Sequence, residues 1–291
     1  MDLKQLTYLL AVRDAGSFTK AANGLHIAQP AISMAIAKLE QQLELRLFDR
    51  QDRNVRLTPE GEVLCRHAER LLLQMHQAEA EMAELKGLER GEVRIGIPYM
   101  MGSYYFPPIL MAFKHRYPGL KIRVEEAGSR ELLSRMVDGT LDLAILITSD
   151  LPPALEGAQL LREEMLMVVG EEHPLRHASA VSLTQFFDQE LAMFRRGFYH
   201  REHMEALAQE LGCEPDIAFE SNLIPLLKAV VKQGFAVTTF LRMVLDEEPS
   251  LTGISFAPPI FLDLCVAWRR GDPLSMANRA LRDFLLAQAR P

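Results

Sequence analysis

Between Ser17 and Leu39 the apolar positions fall into two short runs at helical spacing, Ala21, Ala22 and Leu25 in the first, Ile32, Ile36 and Leu39 in the second. Each run gives one buried helix face. The stretch between them, through His26 and Ile27, leaves room only for a tight turn, so residues 16–40 predict a helix capped by Ser17, a turn, and a second helix starting near Gln29. Taken alone, this is the pattern of any small amphipathic helix pair. Leu43 to Thr58 then brings a hydrophobic segment, a polar Asp52-Arg53-Asn54 turn and a β-prone run, Val55 to Leu57, which together predict a hairpin behind the helices.

Thr58-Pro59 reads as a helix start, with Thr as the cap and Pro in the first helical position. Beyond it Leu64, Ala68, Leu71, Met75, Ala78, Met82 and Leu85 alternate at four and three, a heptad seam. Two readings fit it: packing against the same helix of a second subunit, or burial in the helix's own domain. The polar remainder, with Glu60, Glu69, Glu79, Glu81, Glu84, Arg66, Arg70 and Gln77, favours the first. We therefore assign Leu64, Leu71, Met75 and Met82 to a dimer interface. Lys86 to Glu92 (KGLERGE) has two glycines and no periodicity, and is the best candidate for a linker.

From Val93 onward strands and helices alternate. Strands are predicted at 93–97, 121–125, 141–147, 165–169, 191–194, 217–220, 235–239 and 262–268. Helices are predicted at 104–116, 129–138, from 182, and at 203–211, 223–233 and 275–289. Alternation of this kind predicts parallel sheets in two α/β subdomains, with ligands at the carboxyl ends of the strands.

Composition adds bounds. A chain of 291 residues is too long for one core of average size. There is no apolar run long enough to span a bilayer, and Met1-Asp2-Leu3-Lys4 does not lead into a signal-peptide core, so a cytoplasmic protein without membrane contact is expected. The three cysteines, Cys65, Cys213 and Cys265, are widely spaced and support neither a disulfide framework nor a metal site. The net charge of −7 argues against nucleic acid until it is divided along the chain: residues 1–58 carry +2, residues 59–90 −3 and the remainder −6. The only positive segment is the one with the helix pair.

On the second helix of that pair Gln29, Pro30, Ser33, Met34 and Lys38 lie opposite the apolar face, suited to base edges in a major groove. Arg46, Arg50, Arg53 and Arg56 around the hairpin are placed to meet phosphates. The segment GSFTKAANGLHIAQPAISMAIAKLEQQLELRLFDR followed by VRLTPEGE resembles the amino-terminal domain of LysR-type transcriptional regulators, over about the first 65 residues. Two positions depart from the family's habit: Ala28 stands where Ser or Thr often caps the recognition helix, and Met34 where Arg is frequent.

The resemblance continues, more weakly, in the order of elements to the end of the chain. It implies a winged helix-turn-helix DNA-binding domain (1–58), a dimerisation linker helix of coiled-coil type (59–88) and an α/β effector-binding domain (91–291). That last domain would be two-lobed and like a periplasmic binding protein, with lobe I at 91–161 and 265–291 and lobe II at 162–264. The chain would cross between lobes near residues 161 and 264. Carried over position by position, effector contacts fall at Ser103, Ser129, Thr148, Phe194 and Arg195. Ser103 and Ser129 are expected at helix starts, as anion contacts or as plain N-caps; Arg195 would meet a carboxylate or remain a solvated charge. The implied partners are double-stranded DNA, a small-molecule effector, most simply an organic acid, and further copies of the chain in a homodimer or homotetramer.

Other classes find less support. An enzyme on an α/β fold would need a nucleophile elbow, P-loop, HExxH or CxxC, and none is present; His173 with His177 and His200 with His203 lack a third ligand nearby. No catalytic residue, metal site or cofactor is therefore assigned. A thiol-responsive regulator of the same family would need a second cysteine brought to Cys213 by the fold.

Overall fold

Asp2 opens the first helix, α1 (Leu3–Ala15), with a reciprocal capping box to Gln5, and Gly16 closes it in the left-handed conformation. The sequence pattern does not announce this helix. Ser17 caps α2 (Phe18–Gly24) as predicted, and α3 (Gln29–Leu43) follows with Ala28 at its N-cap and no side chain to cap it. Two short strands, β1 (Phe48–Asp49) and β2 (Arg56–Leu57), pair antiparallel as the expected hairpin. The Glu40 carboxylate accepts from the backbone N–H groups of Leu47 and Phe48 and so ties the hairpin to α3. Thr58 caps α4 (Pro59–Glu84), its hydroxyl accepting from Gly61 at 3.0 Å. Ile32, Ile36 and Leu39 are buried with Leu6, Leu9, Val12, Phe48, Cys65 and Ala68 in one core.

The computed structural model describes residues 1–49, 55–84, 91–246 and 248–289, and the chain divides into two compact units, residues 1–85 and 86–291. The predicted Asp52-Arg53-Asn54 turn, Arg50 and Arg53, and most of the predicted linker lie outside the described residues. Gly91 and Glu92, at the end of that linker, belong to a strand. The heptad seam also needs correction at its start: Ala68 is buried in the unit's own core, and Leu64 packs on the same core, because the first turns of α4 lie against α1. Leu71, Ala78 and Met82 are exposed and Met75 is half-buried.

The second unit runs β3 (Gly91–Pro98), α5 (Tyr99–Tyr104), α6 (Phe106–Arg116), β4 (Leu120–Ala127), α7 (Ser129–Val137), β5 (Leu143–Ile147) and β6 (Leu155–Gly170). It continues with β7 (Ala180–Val181), α8 (Leu183–Phe187), β8 (Leu191–Met193), α9 (Tyr199–Leu211) and β9 (Ile217–Glu220). It ends with α10 (Ile224–Lys232), β10 (Thr238–Leu241), β11 (Leu251–Arg269) and α11 (Met276–Leu286). The main sheet has the order β10-β6-β11-β5-β3-β4, with β7 beside β11; β8 and β9 form a second, parallel pair.

The expectation of parallel sheets holds for β3, β4 and β5 and for the pairs β8–β9 and β7–β11, and fails for the long strands and β10: β11 is antiparallel to both β5 and β6, and β10 to β6. The reason is the place of β11, the last strand in sequence: it inserts between β5 and β6, which run the same way on either side of it, and opposes both. The long strands β6 and β11 are legible in sequence only over their buried portions, 165–169 and 262–268, since their other halves alternate buried and exposed positions. They pair along most of their length, with Leu161 opposite Leu264. The two predicted crossing points thus sit side by side in one ladder of a two-lobed, curled sheet.

Other boundaries shift. The helix predicted over 104–116 is two helices meeting at Tyr105, α9 begins at Tyr199 rather than His203, and the strand predicted at 235–239 is displaced to Thr238–Leu241.

Candidate DNA-facing surface and ligand cavity

The face of α3 turned away from the core presents Gln29, Pro30, Met34 and Lys38 fully exposed and Ser33 half-exposed. Met34 is 72% exposed, a long apolar side chain on the outer side of the helix. Arg56 on β2 and Arg46 before β1 are exposed as well. The five predicted positions therefore share the uncovered side of a helix braced by its neighbours. The missing cap at Ala28 leaves the first N–H groups of α3 without a side-chain acceptor, a deficit of about 1 kcal/mol relative to Ser or Thr.

In the second unit a cavity of about 40 Å³ opens where elements of both halves meet. Its walls are Pro98, Tyr99, Met100 and Met101 at the β3–α5 junction, Ala127 and Ser129 at the start of α7, and Ile145 to Ile147 on β5. Phe194, Phe198, Tyr199 and His200 come from the segment leading into α9, and Leu241, Leu262 and Leu264 from the long strands and β10. The lining is overwhelmingly apolar. Tyr99 and Phe198 bring their rings to 5.5 Å across the opening, and Phe198 stacks on Phe194 at 6.1 Å. Volume of this size suits about three waters, short of what a benzene ring needs.

Three contacts join the two sides beside the cavity. Gly128 approaches the backbone of Gly197 so closely that a Cβ on it would stand 2.3 Å from the Gly197 carbonyl oxygen. Arg130 of α7 pairs with Glu202 of α9 at 2.8 Å, and the same Glu202 accepts from the Gly197 N–H. The third contact is the ring pair itself. Behind Phe194, the buried Arg201 donates to the Phe194 carbonyl and to Glu205 and Glu220, fixing the cavity wall to α9 and β9.

Of the five predicted effector contacts, Ser129 and Phe194 line this cavity, and Ser103, Thr148 and Arg195 do not. Ser103 stands near the end of the short α5, not at a helix start, and lines a separate open groove with Tyr104, Tyr105, Arg162, Glu163 and Asp246. The expectation of a helix start there assumed one helix beginning at Tyr104. Ser129 occupies the first turn of α7 and is not its N-cap, which is Gly128. Thr148 is exposed just beyond β5. The Arg195 side chain is exposed, and its backbone N–H donates to Asn222.

His200, weighed in the sequence only as a metal ligand, is part of the cavity wall. It is 8% exposed, and its Nε2 has no hydrogen-bond partner among the described residues. Burial pushes its imidazole down to about 3, with the neighbouring His203 adding to the effect, so the ring is uncharged at neutral pH. The folded chain refuses a proton that the unfolded chain accepts. Stability from this site is complete above the ordinary histidine value of 6.5 and is lost as pH falls toward about 3. Urea unfolding across that window is expected to show a steeper acid loss for the wild-type chain than for His200→Phe; equal slopes would contradict the assignment.

The cysteines take no part in the cavity. Cys65 and Cys265 are buried, which pushes both thiols up, and Cys213 donates to the Ala208 carbonyl at the end of α9. Among the described residues there is no group of three or more His, Cys, Asp or Glu arranged to hold a metal ion.

Comparison with known proteins covers nearly the whole chain. A family model described as the bacterial regulatory helix-turn-helix protein, lysR family, matches residues 3–62, and the LysR substrate binding domain matches residues 86–290. The chain is 29% identical over 283 residues to the HTH-type transcriptional regulator YwbI of Bacillus subtilis, covering 96% of this chain and 94% of that one. It is 27% identical over 293 residues to the DNA-binding transcriptional dual regulator OxyR of Escherichia coli, covering 99% and 96%. A full-length OxyR from Pseudomonas aeruginosa, solved as a cysteine-to-aspartate variant, superposes with a TM-score of 0.75 at 24% identity, covering 100% and 97%, a likeness of fold.

Proposed function

Because the chain belongs to the LysR family of bacterial transcriptional regulators, we propose that α3 reads DNA while the cavity of the second unit receives the effector that sets its output. The chain is a DNA-binding regulator with an effector-binding domain, not an enzyme. In this reading Gln29, Ser33 and Met34 meet base edges, and Pro30 and Lys38 flank them. Arg50, Arg53 and Arg56 meet phosphates, and the seam of α4 at Leu71, Met75 and Met82 joins two copies. Residues 91–161 and 265–291 form one lobe and 162–264 the other. No described helix is long and apolar enough to cross a membrane.

The observation that carries the DNA assignment is the uncovered face of α3 beside the hairpin, in a segment that the helix-turn-helix family model spans. Titration of the full chain against the promoter fragment next to its own gene, at several salt concentrations, tests it. Affinity is expected to fall steeply with salt, and Arg56→Ala to weaken all sequences alike and lower the logarithmic salt slope by about one. Gln29→Ala and Ser33→Ala are expected to relax sequence preference instead. A flat salt dependence would remove the assignment.

For the effector, the supporting observation is a cavity between the α5 and α7 starts on one side and the segment leading into α9 on the other, beside contacts that a ligand can alter. An organic acid is the expectation from sequence. Its intended cation, Arg195, lies outside the cavity, so the lining favours an effector that is mostly apolar. The alternative of a thiol-responsive regulator finds no cysteine in the described lining.

A further inference from the structure

What the cavity selects can be argued from its chemistry, given the effector reading above, on which the inference rests. Its lining residues carry no carboxylate, ammonium or guanidinium group, and the charged pair at the mouth, Arg130 with Glu202, is already satisfied. An ionised carboxylate taken into such a site would lose its hydration without gaining a cation, which is heavily penalised. Aromatic rings face it from both sides, Tyr99 on one and Phe194 and Phe198 on the other, and ring-on-ring contact is what such walls offer an entering molecule.

Of the residues lining the cavity, one carries a buried polar side-chain atom without a hydrogen-bond partner among the described residues. His200 Nε2 is buried and unpartnered, while the hydroxyl of Tyr199 beside it lies 3.4 Å from His203 Nδ1. Ser129 is only partly buried. Thr239 Oγ1 and Asn278 Oδ1 are also buried without partners, but neither residue lines the cavity. A buried polar atom left unpaired in an otherwise well-formed wall is costly, and a ligand that pairs it recovers that cost.

We propose that the cavity takes an uncharged aromatic molecule bearing a hydroxyl, of the phenol class, with its ring among Tyr99, Phe194 and Phe198 and its hydroxyl on His200 Nε2. A hydroxyl both donates and accepts, so it satisfies His200 whichever ring nitrogen carries the proton. Since the present volume is too small for a ring, entry parts the Tyr99–Phe198 contact and widens the mouth between Gly128 and Gly197. The ligand thereby binds the wider arrangement better than the closed one, which is the differential affinity that regulation requires.

The test is titration of the full chain with three probes, phenol, toluene and benzoate, followed by calorimetry and by the imidazole signals of 15N-histidine-labelled protein. Phenol is expected to bind at least about tenfold more tightly than either of the others and to move the His200 signal. His200→Phe is expected to bring phenol down to the level of toluene, and His200→Gln, which keeps a polar group, to retain part of the preference; should the Phe variant fold poorly, the Gln variant carries the comparison. Equal affinity for phenol and toluene in the wild-type chain overturns the proposal. Tighter binding of benzoate also overturns it and leaves the cavity as an effector site for acids, whereas failure of all three probes to bind overturns the proposal alone and leaves the effector-binding domain to an effector of another class.

Discussion

Glutamate at both Leu71 and Met75 is expected to turn the protein into a monomer that binds a two-half-site operator at least about 100-fold more weakly, while its hold on a single half-site is unchanged. Part-way along its length α4 stops being supported by its own domain. Cys65 and Ala68 are buried against α1, but Leu71 is 41% exposed and Met82 59% exposed. The apolar row therefore continues at heptad spacing after the core that explains its beginning has ended. Covering that row with a second copy removes it from water; four introduced carboxylates facing one another across the seam reverse the preference. Light scattering reads the mass directly. Leu64→Glu is a poor substitute for the experiment, since Leu64 packs on the domain's own core and the change would unfold it. A double variant that stays dimeric would place the interface elsewhere.

Gly128→Ala is expected to hold the mouth of the cavity open and to leave transcriptional output nearly independent of the effector. Gly128 has φ −70°, so alanine suits its backbone; the obstacle is the Gly197 carbonyl oxygen, 2.3 Å from where the methyl group would be. Backbone of this kind cannot swing aside like a side-chain end, so the segment bearing Gly197 and Phe198 must retreat, and the Arg130–Glu202 pair and the Tyr99–Phe198 contact stretch with it. The cost is about 1–3 kcal/mol by the usual scale of overpacking, visible as a lowered Tm. Gly197→Ala separates clash from strain. A Cβ there meets nothing within 4 Å, yet φ is +94°, so it is expected to destabilise by about 1 kcal/mol or more without opening the mouth. Reporter assays with and without effector distinguish the two, and an effector response in Gly128→Ala equal to wild type would contradict the role given to this contact.

What can be read from the chain alone is whatever depends on near neighbours. Ser17, Thr58 and Gly212 act through residues three to five positions away, and each caps the helix expected of it. The buried trio Ile32, Ile36 and Leu39 is a matter of periodicity. Helix α1 escapes because its apolar residues, Leu6, Tyr8, Leu9 and Val12 among them, cover much of its circumference and show no clean stripe.

The site is harder for a different reason. Ser129 and Phe194 are found by position, but the apolar character of the cavity comes from β5, β10 and β11 converging, and no local spacing reports that. His200 shows the same limit. A single histidine in sequence carries no mark of burial, and only the packing of Phe194 against it and the unpartnered Nε2 make it informative.

The pairing of Leu161 with Leu264 sets the kind of motion open to the second unit. Both strands that pass between the lobes belong to one hydrogen-bonded ribbon. Bending such a ribbon within its own plane would stretch one strand's length against the other and break rungs, whereas winding or unwinding it about its long axis preserves them. A turn of one lobe against the other that winds this ribbon, like the two ends of a wrung cloth, would keep its rungs, with the register shift at Leu264/Cys265, where the ladder is already irregular, as the pivot. Displacement then grows with distance from that axis, so the rim contacts around Gly128 and Arg130 travel far while the residues beside Leu161 scarcely move.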